Sequence, residues 1–314
     1  MQKYIMANAI AKIILIGEHS VVYGKPAIAI PFNDAKIQAS VVQTYGGITI
    51  KSDFFSGKLE DVPEIIAPIR DLIYEILEEF GEKPEGFHCV VRGNIPYQRG
   101  MGSSAALSVC MVRSLYKYFD KELDCDTLIK WANKAEGAIH GNASGIDVNV
   151  VAKEKPVYFT KGEPFEELVL HMDAYLLIAD TGKKGMTKEA VSDVKSLVDT
   201  DEIYMSYIDE LGVLTKEARE YIENNEAKKL GEVMTKAQGY LKKLTVSDES
   251  LDKLIDVAMD NGSYGAKLTG GGRGGCVISL FPTRELAEKA SVKLKESGAV
   301  NTWMAYLGGS DEKR

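Results

Sequence analysis

Short runs of β-branched and apolar residues alternate along this chain with longer stretches in which apolar positions recur every three to four residues. In the first third, residues 12–16, 27–31, 37–42, 48–50 and 87–91 are strand-length runs bounded by Gly, Pro, Asn and Asp. Among them, Ile65, Ile69, Leu72, Ile73, Ile76 and Leu77 mark one face of a helix over 65–80, which Gly81 ends. The same pattern predicts a helix from Ser103 to about residue 119 and another over 125–139. Strands return over 157–179, and a helical pattern with charged faces occupies 187–244. The remainder reads as helix 250–259, strands 265–268 and 276–280, helix 284–296 and strand 302–306. Strands mixed with segregated helices, without strict alternation, predict an α+β chain in two lobes. The boundary falls within 156–173 and is set at residue 160, giving lobes 1–160 and 161–314. No repeat of about 20–50 residues is visible, and only the tail 308–314 has a disordered composition.

Composition narrows the function classes. The chain has 314 residues, of which 45% are hydrophobic and 27% charged, enough to bury a sizeable core. Its 38 basic and 46 acidic side chains give a net charge of -8, so most of the surface repels a polyanion and nucleic-acid binding is disfavoured. A small anion can still be held by a few backbone N–H groups and a lysine or two. Cys89, Cys110, Cys125 and Cys276 are widely spaced, which suggests neither a zinc cluster nor a disulfide framework. The first eleven residues lack the features of a signal peptide, and the apolar runs are far shorter than a bilayer span. The expectation is a soluble cytoplasmic protein without a membrane partner; a homodimer is left open.

Three segments carry candidate chemistry, and a fourth supports them. Pro96, Arg99, Gly100, Met101, Gly102, Ser103 and Ser104 lie where a strand should give way to a helix. The glycines would let backbone approach a ligand while the free N–H groups of the first helical turn point at it, which makes an anion site. The alternative is that Ser103 is an ordinary N-cap after a glycine turn. No Lys-Ser or Lys-Thr follows, so this is not a Walker A loop. Glu136 and Asp147, eleven residues apart across a Gly-Asn-Ala-Ser-Gly turn, suit Mg²⁺ binding by one carboxylate and proton acceptance by the other. Each alone also reads as a solvated acid or a cap, and His140 as a structural hydrogen-bonding residue. Five glycines and Arg273 fill 270–275, a composition better explained by a ligand-facing loop than by a hairpin, although a glycine-rich linker is weak evidence by itself. Finally, the apolar run 12–16 carries Lys12 at one end and Gly17, Glu18 and His19 at the other, more polar groups than structure alone requires.

Together these segments resemble the superfamily of galactokinase, homoserine kinase, mevalonate kinase and phosphomevalonate kinase, the GHMP kinases. Order and spacing agree over nearly the whole chain, and the 17–24 run and 140–147 are similar to the mevalonate kinase branch, not to the Gly-Glu-His-Thr-Asp-Tyr run of galactokinases. The resemblance implies an N-terminal lobe like the second domain of ribosomal protein S5, a C-terminal α+β lobe, and an active site between them. It implies ATP and mevalonate as small-molecule substrates, Mg²⁺ as cofactor, and phosphorylation of the 5-hydroxyl of mevalonate. Asp147 and Lys12 would be catalytic, Ser104 and Glu136 would hold the metal, and residues from Pro96 to Ser104 would cradle the nucleotide phosphates. Glu18, His19 and Ser144 would lie near the mevalonate, and Thr269, Gly270, Gly271 and Gly272 would belong to the loop closing on the reacting groups. Departures from the family pattern are Met101 for the commoner Leu, Ala143 for the commoner Pro, and Arg273 in a loop usually made of small residues. The competing expectations are a phosphomevalonate kinase, for which Lys183, Lys184 and Lys188 are the available basic cluster, a homoserine kinase, and a catalytically silent sensor.

Overall fold

In the computed structural model, residues 2–140 and 145–309 are described, His140 by its backbone alone. The described residues pack into two compact units, each assembled from several segments. Met1–Ala11, Ala35–Ile95 and Gly102–Glu154 make the first; Lys12–Asp34, Pro96–Met101 and Lys155–Arg314 make the second. The strands β1 (Tyr4–Ile16) and β2 (Ala27–Gly47) pair with each other, and each runs from one unit into the other.

Both strands are longer than the apolar runs suggested. Residues 4–8 of β1 alternate between exposed and half-buried positions, and its buried stretch begins at Ala9. The expected strands 27–31 and 37–42 are one, running through Pro31, Asn33 and Asp34. Pairing with the later strands skips this stretch, because β6 (Val157–Phe159) pairs with 27–29 and β5 (Glu85–Gly93) begins at Ile37.

Within the first unit, β5 lies antiparallel to β2, β3 (Thr49–Lys51) parallel to β5, and β4 (Ser56–Lys58) antiparallel to β3. The stripe expected from residue 65 forms α1 (Ala67–Phe80), after a 3-10 turn over Glu64–Ile66. It stops at Gly81, which takes the left-handed conformation with φ 69°. The helices α2 (Ser103–Tyr118) and α3 (Cys125–His140) follow, and then α4 (Ile146–Lys153), a short helix the sequence pattern did not separate from its glycine turn. Ile73, Ile76, Phe87, Val109 and Leu115 are fully buried in the shared core, each removal from water stabilising by about 1.5–3 kcal/mol.

The second unit pairs β6 with β7 (Glu166–Glu167) and builds a separate antiparallel sheet. Its order is β11 (Asn301–Tyr306), β8 (Tyr175–Asp180), β10 (Cys276–Phe281) and β9 (Gly265–Thr269). The helical stretch 187–244 is three helices, α5 (Thr187–Thr200), α6 (Glu202–Glu223) and α7 (Ala227–Lys243). Asp201 makes the first break by accepting a hydrogen bond from the Ile203 N–H at 2.9 Å, and Asn225, with φ 55°, lies at the second. The helices α8 (Glu249–Asp260) and α9 (Arg284–Glu296) complete the unit. Because Thr269 pairs with Cys276, the glycine-rich segment 270–275 is the connection of a β9–β10 hairpin after all. It is far longer than the two-residue turn that such a hairpin needs. Among the described residues no helix is long and apolar enough to cross a membrane.

Candidate active site

The second unit brings together the end of β1, the segment 96–101 and the glycine-rich loop. Gly17, with φ 105°, starts the tight turn after β1; a Cβ there would stand 2.5 Å from the Ala27 Cα. His19 then takes φ 61°, unusual for a residue with a side chain. A 3-10 turn over Ser20–Tyr23 follows, and Gly24 closes it. This turn holds Glu18 and His19 inside the protein, 2% and 5% exposed.

Both side chains reach the hairpin of β9 and β10. The Glu18 carboxylate accepts from the ammonium group of Lys267, which is fully buried on β9 and also donates to the Leu268 carbonyl at 2.6 Å. Burial raises the Glu18 carboxyl and lowers the Lys267 ammonium, and each charge opposes the shift of the other. Sequence reasoning missed Lys267. Its signal was a lysine set between Ala266 and Leu268 in an apolar strand, a position that requires a carboxylate partner.

The His19 ring meets the carbonyl of Gly271 through Nε2 at 3.0 Å. A carbonyl only accepts, so Nε2 carries the hydrogen and Nδ1 is a bare acceptor. Nδ1 is buried and has no hydrogen-bond partner among the described residues. Burial pushes the imidazole down to about 4, with the charges of Lys267 and Arg273 adding to the effect and the Gly271 bond opposing it. His19 is therefore neutral at pH 7.

Lys12 is 3% exposed; its N–H donates to the Met101 carbonyl at 3.1 Å, and its ammonium lies 3.5 Å from the Gly100 carbonyl. Thr269 ties the other side by donating its hydroxyl to the Ile14 carbonyl at 2.8 Å. Gly100 and Gly270 touch backbone to backbone: a Cβ on Gly270 would lie 2.8 Å from the Gly100 Cα. The two loops singled out in the sequence thus meet, and only glycine permits the approach. Pro96 opens the first of them and Met101 is fully buried at its end. Arg99 anchors this loop, donating to Asp180 at 2.9 Å, to the Gly182 carbonyl at 2.7 Å and to the Tyr97 carbonyl at 3.4 Å. Asp180, at the end of β8, is the second residue that sequence reasoning did not find.

In the first unit, Gly102 is the N-cap of α2 in the left-handed conformation, with no side-chain cap and no acid in the first turn. The ordinary N-cap reading of Ser103 does not hold, since Ser103 is already helical. The first turn thus offers its amide groups and the positive end of the helix dipole without a competing carboxylate. One residue on, the Ser104 hydroxyl donates to Glu136 of α3 at 3.0 Å. Glu136 is only 3% exposed. Asp147 stands in the first turn of α4, half-buried, after Gly145 with φ 76°. Ser144 lies outside the described residues, as does the side chain of His140.

Comparison with known proteins shows which family the chain belongs to. Residues 69–153 match the GHMP kinases N terminal domain, and 218–300 match the GHMP kinases C terminal domain. The mevalonate kinase of Pyrococcus abyssi is 35% identical over 316 residues, covering 94% of this chain and 93% of that one. The crystal structure of mevalonate kinase from methicillin-resistant Staphylococcus aureus MRSA252 is 31% identical with a TM-score of 0.77, covering 98% of this chain and 100% of the other. That of Methanococcus jannaschii mevalonate kinase is 25% identical with a TM-score of 0.84, covering 98% and 99%. With both halves matched and relatives aligned end to end, the chain belongs to the GHMP kinase family, among its mevalonate kinases.

Proposed function

We propose that this protein transfers the γ-phosphoryl group of ATP to the 5-hydroxyl of mevalonate, giving 5-phosphomevalonate. The observation that carries the reading is the meeting of Lys12, the Gly100 backbone, the glycine-rich hairpin and the Glu18–His19 turn on a chain of the mevalonate kinase family. Phosphoryl transfer asks a protein mainly for positioning and charge neutralisation, which backbone N–H groups, a lysine and carboxylates provide.

In this reading the loop from Pro96 to Ser104 and the amides opening α2 hold the nucleotide phosphates, with Arg99 fixing the loop to β8. Asp147 accepts the proton of the attacking hydroxyl, and Lys12 balances the charge that develops on it. Glu18, His19 and Ser144 serve the acceptor, the bare Nδ1 of His19 taking a hydrogen bond from a mevalonate hydroxyl. Residues from Thr269 to Gly272 close on the reacting groups. The functional division at residue 160, nucleotide before it and glycine-rich loop after it, belongs to the same reading, as does a cytoplasmic location.

Ser104 and Glu136 fit Mg²⁺: a hydroxyl and a nearly buried carboxylate, 3.0 Å apart, are the hard oxygen donors that ion takes. Among the described residues there is no group of three or more His, Cys, Asp or Glu placed to hold a metal ion by themselves. A nucleotide-bound Mg²⁺ does not need one, because phosphate and water complete its shell. The ion supplies charge neutralisation at the phosphates. Glu136→Gln is expected to raise the Mg²⁺ concentration needed for half-maximal rate about tenfold or more, read by titrating Mg²⁺ at fixed ATP. A lower rate with an unchanged titration removes Glu136 from the metal.

Coupled turnover with ATP tests the function itself. Mevalonate-dependent release of ADP, with a new phosphate monoester on C5, is expected; no mevalonate-dependent release overturns the proposal.

A further inference from the structure

The glycine-rich loop has one long side chain, Arg273, which is 23% exposed and turned toward α5 and Thr245. Its guanidinium pairs with Asp193 on α5, donates through Nε to the Thr245 carbonyl at 3.1 Å, and through Nη2 to the Thr245 hydroxyl at 3.3 Å. Its backbone N–H donates to the Val246 carbonyl at 2.8 Å. Both ends of this connection are held in a backbone conformation that disfavours them: Arg273 has φ 54° and the β-branched Thr245 has φ 61°. Strain of this kind persists only where surrounding contacts overdetermine it.

The neighbouring glycines are pressed against the same surroundings. A Cβ on Gly272 would stand 2.0 Å from the Val246 carbonyl, and one on Gly271 2.3 Å from the Thr187 hydroxyl. Farther out, Asp193, Ser196, Leu197, Thr200, Thr245 and Arg273 line a shallow depression that opens to the surface. The guanidinium spans this depression from Thr245 to Asp193. A loop with five glycines in six positions has little intrinsic order. Backbone bonds hold Gly272, whose carbonyl accepts from the Met186 N–H at 3.2 Å, and Gly275, whose N–H donates to the Lys183 carbonyl at 2.8 Å, and the guanidinium adds the side-chain hold between them.

We propose that Arg273 is a positioning residue of the kinase: a latch that holds the glycine-rich loop to α5 and Thr245, and so fixes the Gly271 carbonyl that orients His19 and the Gly270 backbone that meets Gly100. The inference rests on the mevalonate kinase reading for its kinetic consequence but not for its structural one. The latch is half open to solvent at Asp193, whose side chain is 54% exposed, so salt weakens it.

The test uses Arg273→Gly, which removes the guanidinium and suits the left-handed backbone, and Asp193→Asn, which breaks only the ion pair. Hydrogen exchange of the intact protein, read on the peptide spanning 270–275, is expected to quicken about tenfold in Arg273→Gly and less in Asp193→Asn. Melting temperature should stay near that of the parent chain, because glycine relieves the strain. In turnover assays KM for both substrates should rise while kcat falls, the pattern of a loosened closing loop. Arg273→Lys, which keeps the charge but not the fork to Thr245, should recover part of the exchange protection and of kcat/KM. Unchanged exchange over 270–275 in both variants overturns the latch whatever the activity. Quickened exchange with parental kcat and KM overturns its part in positioning.

Discussion

Replacing Asp147 with Asn is expected to lower kcat by about 10²–10⁴, with nucleotide affinity changed by no more than about twofold. The substitution keeps the shape of the side chain and removes its ability to take a proton. Position 147 is in the first turn of α4, where loss of the acid costs about 0.3–1 kcal/mol through the helix dipole. Melting temperature thus serves as the control. Steady-state kinetics together with equilibrium binding of ATP separates the effects: loss of kcat with intact binding places the residue on the reacting hydroxyl. A kcat near that of the parent removes Asp147 from catalysis. A parallel loss of ATP binding moves it to the nucleotide.

Lys267→Met is the second change with a large expected effect, here on stability. Methionine fills a similar volume but leaves the Glu18 carboxylate, 2% exposed, without its cation. Breaking a buried pair from one side costs about 3–5 kcal/mol, a large part of the stability of an ordinary domain. The sign with pH follows from Glu18. Its folded carboxyl is already raised by burial, and loss of Lys267 raises it further. Between the unfolded value near 4.3 and that higher folded value, the folded state binds more protons than the unfolded one. The variant should therefore lose stability as pH rises through this window, and regain it on acidification. Adding Glu18→Gln removes the uncompensated charge, and the double variant should recover most of the lost stability at pH 7. Denaturant midpoints at pH 5 and pH 7.5 decide the matter. A single variant with no pH dependence relative to the parent contradicts a charged Glu18–Lys267 pair.

Periodic elements were the most legible part of the chain. The stripe from Ile69 to Leu77 and its stop at Gly81 appear as α1, because both signals are local: side-chain spacing and one residue's freedom to adopt positive φ. Signals from alternation and chain interruption were weaker. The 4–8 part of β1 lies outside the 12–16 run that marked the strand, and Pro31 with Asn33 and Asp34 suggested a break in β2 where there is none. The 96–104 loop and the glycine-rich loop were visible as compositions, yet their contact at Gly100 and Gly270 was not, since it depends on how distant parts of the chain are brought together. The same limit hid the partners of the charged residues. Glu18 and Lys267 are 249 positions apart, and Arg99 and Asp180 are 81 apart. A sequence exposes the need for a counter-charge, whereas the fold chooses which residue supplies it.

Acceptor selectivity tests the central claim most directly. Lys183 and Lys184 flank the glycine-rich loop: the Gly275 N–H donates to the Lys183 carbonyl at 2.8 Å, and the Lys184 carbonyl would lie 2.6 Å from a Cβ on Gly274. Both side chains are exposed, so a phosphorylated acceptor has basic groups within the same unit to compete for. The decisive measurement is kcat/KM for mevalonate, phosphomevalonate and homoserine, side by side, with ATP and Mg²⁺ in excess. The account predicts that mevalonate exceeds each of the others by at least about 10²-fold, a discrimination of about 2.7 kcal/mol in transition-state binding. A higher kcat/KM for phosphomevalonate or homoserine, or no turnover of mevalonate, contradicts it.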